Sequence, residues 1–187
     1  MEPRIRLHVL SVLAASLLAL VSSSGQAAVF MTQPQALAEA FPGARIERKP
    51  FVLTDVQVKS VQQRARAKLT SKLVVEYLAW RGDTLAGTAW FDTRVVRTMP
   101  AVLMVVVAPD RSVQRVEVLA FHEPPDYRPT PRWLGLFPGQ RLDDRLRPGE
   151  GIRYLSGATL TTRAVVDATR LALSLYEELI VPARPQR

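Results

Sequence analysis

The sequence predicts an α+β fold, an antiparallel β-sheet packed with helices and closed by a C-terminal amphipathic helix. Three observations carry this. Between residues 73 and 121 the apolar residues fall in short runs rich in β-branched and aromatic side chains, separated by turn residues. Between 160 and 181 the period becomes that of a helix, which Pro182 ends. Hydrophobic residues make up 48% of the 187 and charged residues 22%, so a single domain can bury a real core.

At the N-terminus, Arg4 and Arg6 precede the apolar run "VLSVLAASLLALV" (9–21), and "SSSGQAA" follows it. This is the anatomy of a secretory signal peptide cleaved near Ala27, and the run is short for a bilayer span. Residues 1–27 are therefore expected to be a signal peptide, with an uncleaved anchor as the alternative. The mature protein is expected to be periplasmic or otherwise extracytoplasmic. No cysteine follows the run or occurs anywhere, which excludes lipoprotein anchoring, disulfides and thiolate metal sites. The net charge of +8 is spread along the chain rather than gathered into a stripe, so no nucleic-acid partner is expected.

Residues 28–70 read as an N-terminal helical segment. "QPQALAEAFPG" predicts a short helix stopped by Pro42 and Gly43. Thr54 and Gln57 form a capping-box start for a second, with Val58, Val61 and Ala65 on one face. Residues 71–181 read as the α+β domain, and 182–187 as a tail. Within the domain, "LVVEYLAW", "LAGTAWF", "AVLMVVVA" and "VQRVEVLAF" predict strands, with turns at "RGD" (81–83) and "PDRS" (109–112). Tight turns between neighbours imply an antiparallel meander. "AVLMVVVA" lacks polar alternation and belongs at the sheet centre, buried on both faces. The proline-rich stretch 122–150 is too long for a structureless connector. In the last helix, Val166, Leu171, Leu175 and Leu179 are expected to cover the sheet, and Arg163, Asp167, Arg170, Ser174, Glu177 and Glu178 to form a polar stripe.

The entrance to that helix, "YLSGATLTT" (154–162), carries an unusual number of hydroxyls. The first N–H groups of a helix lack intrahelical partners and its dipole favours an anion, so this turn is a candidate phosphate site. Gly157 permits a tight turn, and Arg163, one turn in, can neutralise a phosphate. No Walker lysine is present. Ordinary capping by Thr159 or Thr161 is the competing reading. His122 is the one histidine beyond residue 27 and has no motif partner, so neither a metal site nor a catalytic triad is expected.

"SGATLTT" followed by "RAVVDATRLAL" closely resembles the FMN-binding domain family. That family includes flavin-carrying periplasmic subunits of the sodium-pumping NADH:quinone reductase and of the Rnf complex, and many small secreted proteins. The resemblance covers about residues 73–179, with "GTAWFDTRV" and the pattern Glu123, Trp133, Leu134, Phe137, Gly139 as its weaker parts. It implies FMN as cofactor, carried through a phosphoester on Thr159 and presented by Ser156, Gly157 and Ala158. It also implies a Mg-dependent flavin transferase as partner, with FAD as donor, and membrane or periplasmic redox partners. Thr161 and Thr162 complete the candidate site, with Glu123 either bonding near the flavin or holding its loop. Tyr154, Trp133, Tyr127 and Phe137 are candidates for contact with the ring. Modified members usually carry an acidic residue a few places before S-G-A-T. Here Arg153 stands there and Glu150 lies upstream, which leaves covalent attachment and reversible binding both open. The implied role is an exported electron carrier rather than a stand-alone enzyme. A flavin-free docking module of the same fold, and a binder of another phosphorylated molecule, are the alternatives.

Overall fold

The computed structural model describes residues 28–181; the expected signal peptide (1–27) and tail (182–187) lie outside the described residues. Six strands form one sheet: β1 (Ala28–Val29), β2 (Arg45–Val52), β3 (Leu73–Arg81), β4 (Thr84–Val95), β5 (Pro100–Val107) and β6 (Val113–Phe121). Their spatial order is β1-β6-β5-β4-β3-β2, and every pairing is antiparallel. Strands β2 to β6 are the predicted meander, extended by one strand. The two-residue turn Gly82–Asp83 joins β3 to β4. Asp110 shapes the β5–β6 turn by accepting from the Ser112 N–H and hydroxyl at 3.0 and 2.6 Å.

β5 lies between β4 and β6, and its side chains are buried on both faces. Met104 and Val106 point to one side, where α1 (Gln33–Ala40) supplies Ala36, Leu37 and its C-cap Phe41. Leu103, Val105 and Val107 point to the other, under α2 (Asp55–Ala65) and the long α4 (Thr159–Leu179). Gly87 admits Phe41 to the sheet: a Cβ there would stand 2.8 Å from the phenyl ring.

Both N-terminal helices start with capping boxes, Thr32 with Gln35 and Thr54 with Gln57. Each box satisfies two otherwise unpaired N–H groups. The segment 28–70 is not purely helical, however. It adds β1 and β2, the two edge strands, so it is part of the same sheet. "RIERKPFV" was not expected to be a strand because its apolar residues are few. Its register with β3, from Arg45 opposite Trp80 to Val52 opposite Leu73, supplies what its composition does not.

The stretch 122–158 is packed rather than loose. A 3-10 turn (Pro125–Tyr127) and a four-residue helix, α3 (Pro131–Leu134), lie within it, and Phe137, Leu146 and Ile152 are fully buried against the α4 side of the sheet. The expected polar stripe on α4 needs correction, because Arg170 and Ser174 are buried. Arg170 donates Nε to the Ala65 carbonyl at 2.5 Å and Nη2 to that of Arg64 at 3.2 Å. Its Nη1 donates to the carbonyls of Asp143 (2.8 Å) and Leu146 (3.0 Å). The guanidinium thus sits at the C-terminal end of α2, where the helix dipole favours a cation. Cover by α2 and the long loop turns a helix face that reads as polar into an interior one.

Candidate functional site

The turn before α4 is built by its threonines, but not as ordinary caps. The N-cap of α4 is Ala158, and no side chain caps the helix, whereas α1, α2 and α3 are each capped by a threonine hydroxyl. Thr162, fully buried, accepts from the Leu155 N–H at 2.9 Å and donates to the Ala158 carbonyl at 3.2 Å, which folds the turn back on the helix. Thr161, also buried, donates to the Tyr127 carbonyl at 2.8 Å and fastens the 3-10 turn to the helix entrance. Gly157 adopts φ +72°, and a Cβ there would meet nothing within 4 Å, so the position requires a left-handed backbone rather than space. Thr159 is the first residue of the helix and is exposed. Ser156 is exposed beside it.

Thr159 lines a hollow of about 270 Å³ together with Gly157, Ala158, Leu160, Thr161, Tyr127 and Arg97. Arg97 is the member that sequence reasoning missed. It lies in the four-residue connection between β4 and β5, far from the S-G-A-T in sequence, and no motif marks it. Its guanidinium stands 4.7 Å from the centroid of the Tyr127 ring, a cation–π pairing that orients it toward the helix entrance. The arginine proposed from the sequence for a phosphate, Arg163, is exposed and is not among the residues lining this hollow.

Glu123 holds the connection that carries Arg97. It is buried, and its Oε1 accepts from the N–H groups of Arg97, Thr98 and Met99 at 2.9, 2.7 and 2.9 Å. Burial pushes its carboxyl up, but those N–H groups, Met99 first, and the Arg97 charge outweigh it, and the carboxyl stays below its ordinary range. Of the two roles open for Glu123, loop holding is the one seen in the geometry.

The aromatic candidates separate. Tyr127 lines the hollow. Trp133 is buried, packs edge-on against Phe137 with centroids 5.3 Å apart, and donates Nε1–H to the Arg153 carbonyl at 2.9 Å. It braces the chain leading into the turn from within the core, as does Phe137. Tyr154 is half exposed and lies over Gly149, outside the hollow. Among the described residues, no group of His, Asp and Glu is placed to hold a metal.

An uncapped helix entrance, a free hydroxyl and a guanidinium meeting in one hollow define a domain suited to a phosphorylated ligand. Residues 99–174 match the model of the FMN-binding domain family. That match supports a flavin-binding protein with FMN as cofactor. The match takes in β5, β6, the packed stretch and most of α4; it leaves β1 to β4, and hence Arg97, outside. No curated protein matches the chain.

Proposed function

We propose that this is an exported FMN-carrying electron-transfer protein whose flavin phosphate is held, or covalently esterified, at Thr159. One observation supports this most. Of the threonines at the helix entrance, Thr161 and Thr162 spend their hydroxyls on the fold, while that of Thr159, which lines the hollow with Arg97, makes no hydrogen bond among the described residues. The residues fit a phosphate: the helix entrance offers unpaired N–H groups, Arg97 offers a cation, and Thr159 an oxygen. FMN, when bound, supplies one- and two-electron transfer, and the protein binds and orients it. Tyr127 and Leu160 offer apolar surface next to the phosphate position. The partners in this reading are a flavin transferase and membrane or periplasmic redox proteins, and the place of action is outside the cytoplasm.

The test is to produce the full chain in a host with the transferase and in one without it. Yellow protein whose flavin survives denaturation, with the matching gain in intact mass, establishes the ester; loss of both in Thr159→Ala places it. Flavin released on denaturation establishes reversible binding. Colourless protein that takes up no added FMN overturns the proposal.

A further inference from the structure

Positive charge is not spread evenly once the chain is followed element by element. Residues 45–72 hold eight cationic side chains against two carboxylates, Glu47 and Asp55, and so carry +6 of the net +8. All four lysines of the chain, Lys49, Lys59, Lys68 and Lys72, lie among them. This segment is β2, α2 and the link to β3, and it forms one edge of the molecule. Lys59 and Lys68 are exposed along a shallow trough beside α2 and have no ion-pair partner among the described residues. Lys72 pairs with Asp55, which ties the start of β3 to the first turn of α2.

Exposed apolar side chains gather at one end of the sheet. β3 begins and β4 ends there, because the turn Gly82–Asp83 joins the two strands at the far end. Val52 stands opposite Leu73 at the finish of β2, and Val56 follows in the first turn of α2; all three are more than half exposed. Val95 closes β4, Met99 precedes β5 and Val29 lies on β1, and these too are exposed. Apolar groups thus run across the width of six strands, about 24 Å. At the opposite end, the turns 81–84 and 108–112 expose no large apolar side chain among the described residues.

A protein partner is usually met by a compact apolar centre depleted of charge. Here the apolar groups are dispersed across an end, with lysines beside them. A lysine stem can lie along apolar surface while its ammonium stays among polar headgroups. That combination suits a fluid, negatively charged surface. We propose that this end of the sheet docks on an anionic phospholipid bilayer, with Val52, Val56, Leu73 and Val95 at the headgroup–acyl boundary and Lys59, Lys68 and Lys72 on lipid phosphates. None of these residues lines the hollow at Thr159, so the docking does not rest on the flavin reading.

The chain has no cysteine, so a single introduced one carries a label alone. Nitrobenzoxadiazole is attached to the full chain at Val56→Cys, at Val95→Cys and, at the opposite end, at Asp83→Cys. Each is mixed with vesicles of equimolar phosphatidylglycerol and phosphatidylcholine, and with vesicles of phosphatidylcholine alone. The probes at 56 and 95 are expected to brighten and shift to the blue with the anionic vesicles only, and the probe at 83 to stay unchanged. Adding Lys59→Gln and Lys68→Gln to the Val56→Cys chain is expected to weaken that binding by about tenfold or more, since each lysine at such a surface is worth about fivefold. The label's position reads which face meets lipid, whatever part of the chain first reaches it. No response at 56 or at 95, an equal response at 83 or to phosphatidylcholine alone, or unweakened binding without the two lysines overturns the proposal. So does a response to poly-L-glutamate and not to vesicles, which assigns the face to an acidic protein.

Discussion

At the smallest scale three ionisable side chains matter, Arg97 and Glu123 at the hollow and Glu76 within the sheet. Arg97 reaches the helix entrance only because Glu123 gathers three consecutive N–H groups and so shapes the connection between β4 and β5. Replacing Arg97 with alanine removes the guanidinium from the proposed phosphate site beside Thr159. It is expected to weaken FMN binding by the unmodified protein by about tenfold or more, measured by fluorescence titration. Glu76 is buried on the α4 side of the sheet with Oε1 unpartnered among the described residues. Burial raises its carboxyl from 4.5 to about 7, with Lys49 opposing and Glu47 adding to the shift. Between those two values the folded protein holds a proton that the unfolded chain has lost. Stability therefore falls as pH rises from 4.5 to 7, and the full penalty stands above 7. Glu76→Gln is expected to leave stability nearly unchanged at pH 4 and to raise it by about 2–3 kcal/mol at pH 8, read by urea unfolding at both.

Elements carry the next lesson, because they show what a sequence conveys and what it does not. Capping boxes, turns and the unbroken apolar run of β5 are local chemistry, and each predicted element of this kind is present. β2 was not legible, since its place comes from β3 rather than from its own apolar pattern. Nor was the burial of Arg170 and Ser174. A stripe of polar residues at helical spacing means solvent only if nothing else arrives to cover it. Here α2 and the stretch 143–146 do, and they present carbonyls that only a long cationic fork can satisfy together. In the candidate site, the S-G-A-T half is continuous in sequence and was readable. The Arg97 half comes from a hairpin about sixty residues earlier and is joined to it only by folding. Arg170→Ala strands four carbonyls at the junction of α2, α4 and the packed stretch. Its expected cost is about 3 kcal/mol, a fall in Tm of roughly 6–12 °C by calorimetry.

Viewed whole, the molecule is a single sheet with helices on both faces, and it has two distinguishable ends. β1 pairs with the last residues of β6, Ala28 opposite Phe121 and Val29 opposite Ala120, while Phe121 also faces Ala101 at the start of β5. The Phe30 ring then lies under the Arg128 guanidinium, 4.7 Å away, one residue beyond Tyr127. The described chain thus begins at the same end as the hollow. α4, with 21 residues, carries the chain about 30 Å from Thr159 before it leaves the other end. A bulky domain fused ahead of residue 28 is expected to slow flavin loading severalfold, and the same domain fused after residue 187 to leave it unchanged, followed by flavin absorbance over time. The two-residue strand β1 thereby acts as a compass. Whatever surface the N-terminal side of the described chain faces, the hollow at Thr159 is turned toward it.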